Sequence, residues 1–198
     1  DLKNPLDEVI EPRATQEEMT NFIETELTES LKGLPTRTTQ FGRFDKGLAY
    51  TILMKYYMHE KNWAKAEECG RELLKAEYGY GLMDRYADIF TLENEGNKEI
   101  IFACTEERGT NLQLWHDHAL PGNYPTKNAS IQKWDGYKVP WPFYRTFEEG
   151  DDRLSVLVGE YVGTDGVLFN EESDIAKHGN LYSGAVPVKY GEDPESTG

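Results

Sequence analysis

Apolar residues recur three or four positions apart along three segments in the first part of the chain, with polar stretches such as HEKNW (59–63) between them. This spacing places apolar side chains on one face of an α-helix, where a neighbouring element can bury them. The pattern predicts helices over residues 16–32, 45–58 and 62–76. We expect them to pack as antiparallel neighbours, since the polar link between the last two is short.

Residue types suited to helix ends flank these segments. Thr15 and Glu18 match the S/T-x-x-E capping box, in which each side chain accepts a hydrogen bond from the other residue's backbone. Asn62 suits the N-cap of the third helix, because its side chain can accept from the free amides of the first turn. Gly33 and Pro35 are typical of the residues that end a helix.

The second and third predicted helices resemble a tetratricopeptide repeat, a helix–turn–helix unit of about 34 residues. Five residues fall at the offsets of that repeat: Tyr50, Leu53, Tyr57, Ala66 and Leu73. Two positions depart from it, because Gly70 stands where a large apolar residue is usual and Met54 where a small one is. Ala66 and Gly70 lie one turn apart and favour close approach of the helices. An ordinary helical hairpin remains the alternative.

The pattern changes after Tyr78. Residues 84–90 predict one or two helical turns, and the apolar run within 97–104 predicts a short buried strand or extended segment. Residues 105–140 show neither helical nor strand periodicity, and repeated glycine and proline residues disfavour regular secondary structure there. A loop of this length is usually functional or disordered, and its four large aromatic residues argue against simple disorder.

Further short elements are predicted near the end of the chain. Pro142 suits the first turn of a helix within 141–153, and Thr164-Asp165-Gly166 is turn chemistry for a hairpin. The stretch from residue 184 onward is expected to be extended. The fold class is therefore mainly α, with tetratricopeptide-like helical hairpins followed by a loop-rich region that holds a few short strands. We assign one domain, 1–198, with a helical part at 15–95 and a loop-rich, ligand-side part at 96–198.

Charge and cysteine content exclude several functions. The chain has 21 basic and 36 acidic residues and a net charge of −15, which disfavours nucleic acid and anionic membrane surfaces as partners. No apolar run approaches the roughly 20 residues that a membrane-spanning helix needs. Cys69 and Cys104 form neither a metal-binding spacing nor a CxxC motif, and we expect them to be buried free thiols.

An acidic chain with an aromatic-rich loop favours a neutral, ring-shaped ligand such as a sugar, whose apolar C–H groups stack on aromatic faces. The candidates for stacking are Trp115, Trp134 and Tyr137. The candidates for polar contacts are Asn123, Asn128 and Asp135. For each tryptophan the competing interpretation is that it fills a gap in the core. WDGY (134–137) is turn chemistry, which favours outward presentation of its rings.

No catalytic or metal-binding motif stands out. His116 and His118 are two residues apart, a spacing that does not converge on one face of a helix, and a third ligand at useful spacing is missing. We therefore predict no metal and no cofactor. Paired carboxylates for glycoside hydrolysis remain open among the 36 acidic residues, although no motif places two of them across a cleft.

Four segments, in this order and spacing, resemble the SusD/RagB family of bacterial outer-membrane glycan-binding lipoproteins. They are LTESLKGLP (27–35), KGLAYTILMKYYMHEKNWAKAEECGREL (46–73), YADIFTLENEGNKEIIFAC (86–104), and FYRTFEEGDDR (143–153) with the later PVKYGEDP (187–194). Family members are longer, so the sequence is similar to a middle segment. The resemblance places part of the ligand-binding face in the loop that follows the helical repeats.

The resemblance implies a binding protein without catalytic activity. It would capture oligosaccharides at the bacterial cell surface and deliver them to a SusC-like TonB-dependent transporter for nutrient uptake. It would be held at the outer membrane by a lipid anchor that is absent from this segment. Two alternatives from other classes are a glycan hydrolase with acidic catalysts and a helical-repeat scaffold for a protein partner.

Overall fold

The computed structural model describes residues 12–107, 110, 114–175 and 177–195. Contacts within the chain divide it into two compact units, a helical unit (Asp1–Gly79) and a loop-rich unit (Tyr80–Gly198). Each unit has a hydrophobic core of its own. In the described part of the chain, no helix is both long enough and apolar enough to cross a membrane.

Within its described residues, 12–79, the helical unit contains three α-helices, α1 (Gln16–Gly33), α2 (Lys46–His59) and α3 (Trp63–Leu73). A single 3₁₀ turn, Ala76–Tyr78, follows them. The three predicted helices are confirmed, with ends within a few residues of the expected ones. The mainly α fold class is confirmed with them, whereas the tetratricopeptide assignment stays a prediction.

The predicted caps form as expected. Thr15 accepts from the amide of Glu18, and the Glu18 carboxylate accepts from the amide of Thr15 at 2.8 Å. The Asn62 side chain accepts from the amide of Lys65 and begins α3. The sequence interpretation did not include Asp45, whose buried carboxylate caps α2 by accepting from the amide of Leu48 at 3.0 Å.

The core of the helical unit lies where α2 and α3 meet. Its buried members are Leu53, Tyr57, Ala66 and Cys69, and α1 contributes the partly buried Leu27 and Leu31. Burial raises the pKa of the Cys69 thiol, so it remains protonated at neutral pH. The second cysteine corrects the prediction of two buried thiols, because Cys104 is exposed; both are free.

Gly70 and Met54, the two residues that depart from the repeat pattern, compensate one another in size. A methyl group built on Gly70 in α3 would lie 3.5 Å from the Met54 sulfur in α2, an ordinary van der Waals contact. The large residue on α2 thus fills the volume that the small residue on α3 leaves. The helices keep a close-packed interface although the usual order of sizes is reversed.

We expect Gly70→Ala to stabilise the chain by up to about 1 kcal/mol, because alanine forms helices better than glycine and its methyl group fits against Met54. For a chain of this size that raises the melting temperature by about 2–4 °C, measured by circular dichroism. Gly70→Leu should be destabilising, because its outer atoms overlap Met54. The double variant Met54→Ala, Gly70→Leu should recover part of the loss. A lower melting temperature for Gly70→Ala would contradict this account.

The loop-rich unit is built from short elements. Its α-helices are α4 (Trp115–Ala119), α5 (Trp141–Tyr144) and α6 (Glu171–Ile175), and its 3₁₀ turns are Ala87–Phe90, Leu92–Asn94 and Asp152–Val156. Its strands are β1 (Val139–Pro140), β2 (Leu157–Val158), β3 (Glu160–Val162), β4 (Leu168–Asn170) and β5 (Gly184–Pro187).

Strand β5 is the centre of a small antiparallel sheet with the order β1-β5-β2. It is buried along its whole length. Gly184 pairs with Pro140 so closely that a methyl group on it would lie 2.1 Å from the Val139 carbonyl oxygen. Only glycine allows this approach. Strands β3 and β4 form the predicted hairpin, in which Tyr161 pairs with Phe169.

The core of this unit surrounds β5. Its buried members are Ala119, Leu120, Trp141, Tyr161, Leu181, Ala185 and Val186. The Trp141 indole N–H donates to the Leu181 carbonyl at 2.8 Å, which satisfies its polar group inside the core. Ala119 and Leu120 bring the end of α4 into the same core and so fix the position of that helix.

Two predictions for this half are corrected. Of the two forms predicted for 97–104, a buried strand or an extended segment, the strand does not form, and Phe102 is exposed. At the start of this segment the Asn97 side chain accepts from the amide of Glu99 and donates to the carbonyl of Ile89, a pattern that favours a turn. The loop 105–140 also contains a helix that periodicity did not predict, the five-residue α4.

Candidate functional site

The segment WDGY (134–137) is held by backbone hydrogen bonds against the end of α4. The Asp117 carbonyl accepts from the amide of Trp134 at 2.5 Å, and the Leu120 carbonyl accepts from that of Asp135 at 3.0 Å. The His118 carbonyl accepts from the amides of Gly136 and Tyr137, at 2.6 and 2.9 Å. The last carbonyls of a helix have no partner inside it, so this segment satisfies them.

The Asp117 side chain strengthens the same attachment. It is 5% exposed, and its carboxylate accepts from the amide of Gln132 at 2.8 Å. Lys133 donates to the Tyr124 carbonyl at 2.8 Å, from the other side of the loop. Residues 132–137 are therefore fixed to the core-bound helix at successive positions.

Trp134 stands between two residues in the left-handed backbone region. Lys133 and Asp135 both have φ of 57°, which is uncommon for residues other than glycine. Such conformations persist where the surrounding contacts over-determine them, and they are enriched at functional sites. Gly136 is also closely packed, since a methyl group there would lie 3.1 Å from the His118 carbonyl oxygen, a tight contact.

Five rings are in contact with one another around α4, and we call them the aromatic platform: Trp115, His118, Trp134, Tyr137 and Tyr190. The His118 ring lies 4.7 Å from the Trp134 ring, edge to face, and is stacked at 5.2 Å on the Tyr137 ring. The Trp115 ring lies 5.4 Å from Tyr137 and 5.6 Å from Tyr190. Centroid distances of 4.5–7 Å are typical of attractive aromatic pairs.

The outer rings of the platform are open to solvent. Trp134 is 52% exposed, Tyr137 45% and Tyr190 38%. The partial exposure predicted for Trp134 is confirmed. Trp115 is partly buried, and its indole N–H donates to the Pro187 carbonyl at the end of β5, at 2.9 Å. It supports the platform from the side of the sheet.

The three residues predicted to make polar contacts with a ligand, Asp135, Asn123 and Asn128, lie in different environments. Asp135 lies in the WDGY turn, and its carboxylate is paired with Lys138. The Asn123 oxygen accepts from Tyr161 at 2.9 Å and from Asn180 at 2.7 Å.

Asn128 is 5% exposed and donates to the Asp193 carbonyl at 2.8 Å. Both asparagine amides serve internal hydrogen bonds of the loops, and their role as ligand contacts stays a prediction.

Two members of the platform were missed by sequence reasoning. His118 was considered only as a metal ligand, and Tyr190 only as part of an extended tail. In the described residues, no group of three or more His, Cys, Asp or Glu side chains is arranged to hold a metal ion. The only sequence signal for His118 was that it lies in the same aromatic-rich loop as Trp115 and Trp134. Tyr190 had no local signal.

His116 joins the platform to the C-terminal stretch through a hydrogen bond between its Nε2 and the Tyr190 carbonyl, at 3.0 Å. Burial lowers the pKa of His116, while this hydrogen bond and the charges of Glu192 and Asp117 act in the opposite direction. His116 therefore binds a proton less readily in the folded chain than in the unfolded chain, so a side chain next to the platform prefers to be neutral.

We expect the folded chain to lose stability as the pH falls below about 6.5, the ordinary pKa of histidine, because the unfolded chain then binds a proton that folded His116 resists. The matched control is His116→Gln, which can still donate to the Tyr190 carbonyl but does not titrate. Urea unfolding at pH 7.5 and 5.0 should show a smaller loss for the variant than for the wild type. Equal losses would contradict the assignment.

A separate open groove lies between α5, the β3–β4 hairpin and α6. Its volume is about 620 Å³, and its lining residues are Trp141, Tyr144, Gly159, Glu160, Asn170, Glu171, Glu172 and Ile175. Glu171 is paired with Arg145, and Glu160 accepts from the Asn170 amide at 3.2 Å. Three of its lining residues, Glu160, Glu171 and Glu172, carry carboxylates, which makes this groove the place to test the alternative of a hydrolase.

Comparison with solved structures identifies the fold. A SusD-like protein from Bacteroides fragilis is 23% identical, with a TM-score of 0.58, over 75% of this chain and 30% of its own. Surface glycan-binding protein A from Bacteroides thetaiotaomicron, in complex with laminarihexaose, is 18% identical with a TM-score of 0.66, over 91% of this chain and 42% of its own. A SusD superfamily protein from Bacteroides fragilis is 16% identical with a TM-score of 0.62, over 90% of this chain and 42% of its own.

The chain has the SusD-like fold. The resemblance drawn from the four sequence segments is confirmed at this level, and at such identities the likeness describes the fold alone. The chain spans between 30% and 42% of the length of these SusD-like proteins. No family model matches the chain, and no curated protein does.

Proposed function

We propose that this chain binds oligosaccharides on its aromatic platform, without chemical conversion of the ligand. The observation that carries the proposal is the pair of half-exposed rings, Trp134 and Tyr137, fixed by backbone hydrogen bonds to one helix end. Neighbouring exposed apolar side chains that form a contiguous patch often mark a ligand- or partner-binding site. A sugar ring is a suitable partner, because its C–H groups stack on the ring faces and its hydroxyl groups remain at the polar rim.

The electrostatics favour a neutral glycan. The net charge of −15 repels polyanionic sugars, and the carboxylate nearest to Trp134 in sequence, that of Asp135, is neutralised by Lys138. Support also comes from surface glycan-binding protein A, which shares the fold and is bound to laminarihexaose in its solved structure. That complex makes neutral glucose oligomers the first ligands to test.

We further propose that the chain acts at the bacterial outer membrane, as part of a lipid-anchored protein that delivers glycans to a SusC-like TonB-dependent transporter. The family resemblance of the four sequence segments supports this. The helical unit adds exposed apolar side chains suited to a protein contact, with Phe22 60% and Trp63 63% exposed. Co-purification of the protein with its transporter from solubilised outer membranes tests the assignment.

Trp134→Ala should weaken the binding of neutral hexasaccharides about five- to a hundredfold and leave the fold intact. The scale is that of aromatic stacking on nucleic-acid bases, about 1–3 kcal/mol per ring. The measurement is isothermal titration calorimetry with laminarihexaose and other neutral hexasaccharides. Trp63→Ala is the matched control, because Trp63 is exposed to a similar extent but lies in the helical unit. A melting temperature lowered by several degrees with unchanged affinity would show that Trp134 is structural.

The chain should not hydrolyse the glycans that it binds. Long incubation with laminarihexaose should release no new reducing ends, measured by a colorimetric assay. The groove residue Glu172 supplies a specific control, because the hydrolase alternative predicts activity that Glu172→Gln removes. Sustained release by the wild type, lost in this variant, would establish the alternative and place the catalytic site in the groove.

A further inference from the structure

The motif His116-Asp117-His118 attaches two separate parts of the chain to α4, the segment 132–137 and the stretch at Tyr190. His116 contacts the Tyr190 carbonyl, and the Asp117 carboxylate accepts from the amide of Gln132. His118 is central to the platform, through its backbone and its side chain alike. The sequence spacing of this tripeptide predicts no metal site. In the structure, all three residues instead attach other parts of the loop-rich unit to α4.

The side chain of His118 lies between the two most exposed rings of the platform. It meets the Trp134 ring edge to face, with an interplanar angle of 76°, and it stacks on the Tyr137 ring with an angle of 29°. Its own carbonyl oxygen accepts from the amide of Tyr137 at 2.9 Å. One residue thus fixes the backbone of the turn and separates its two rings.

We propose that His118 is a positioning residue, whose imidazole holds the rings of Trp134 and Tyr137 in the orientation in which a sugar can stack on them. Both rings are about half exposed, so contacts with the core restrict them less than they restrict Trp115. A planar ring supplies one edge and one face for these two contacts, which an aliphatic side chain of similar size does not. The expected effect on glycan affinity rests on the proposed function. The effect of His118 on the orientation of the two rings is independent of that function.

The test compares His118→Leu, which removes the planar ring, with His118→Phe, which restores one. The chain is labelled with 5-fluorotryptophan, and Trp134→Phe assigns the ¹⁹F signal of Trp134 among the four tryptophans. In His118→Leu this signal should move and broaden while the signals of Trp63 and Trp141, which lie outside the platform, keep their positions, and His118→Phe should recover it. Affinity for laminarihexaose should fall about two- to tenfold in the leucine variant and return in the phenylalanine variant.

His178→Asn is the matched control. His178 lies in the same unit and contacts the Tyr182 ring at 5.1 Å, and asparagine tolerates its left-handed backbone with φ of 51°. This variant should leave both the Trp134 signal and the affinity unchanged. If His118→Leu does not fold, as judged by circular dichroism, His118→Gln takes its place with the same expected displacement of the Trp134 signal.

The outcomes separate the two proposals. A displaced Trp134 signal in a chain that binds no laminarihexaose would support the positioning role and count against the proposed ligand. An unchanged Trp134 signal would overturn the positioning role; if affinity falls at the same time, His118 contacts the sugar directly. A displaced signal with full wild-type affinity would also overturn the inference, since ring orientation would then not govern binding.

Discussion

The loop-rich unit depends on the hydrogen bonds that the end of α4 accepts from residues 134–137. A helix of five residues has almost no stability of its own, since helix nucleation is unfavourable. Burial of Ala119 and Leu120, at 0% and 2% exposure, holds it in the core and fixes its last carbonyls in space. Those carbonyls then determine the path of a segment about 15 residues further along the chain.

In this turn, the hydrophobic effect and the backbone conformation act in opposite directions on the same two aromatic side chains. The hydrophobic effect favours burial of Trp134 and Tyr137, whereas their backbone is fixed in a turn that directs them outward. The left-handed conformations of Lys133 and Asp135 add to the local cost of the turn. The neighbouring imidazole and indole rings offset part of that cost, because they cover one side of each exposed ring.

The sequence was most informative where the cause of structure is local. Periodicity and caps such as Thr15 and Asn62 predicted α1 to α3, and WDGY chemistry predicted the exposure of Trp134. Helix α4 escaped prediction because its stability comes from burial in a distant core and not from a repeating pattern.

The strand alternative for 97–104 failed for a different reason. The apolar run favours a strand, whereas the side chain of Asn97 at its start forms hydrogen bonds typical of a turn. Contacts between residues far apart in the sequence could not be predicted either. The indole N–H of Trp115, for example, donates to the carbonyl of Pro187, 72 residues away.

The attachment of residues 132–137 to α4 has a thermodynamic consequence for any ligand that stacks on the platform. A binding loop that is ordered only in the complex loses conformational entropy on association, at about 1–2 kcal/mol for each backbone residue that becomes fixed. Here that loss occurs during folding, because the hydrogen bonds to α4 are already formed in the unbound chain. Association of such a ligand would therefore leave the backbone entropy of this turn nearly unchanged, so that fewer contacts would be needed for a given affinity.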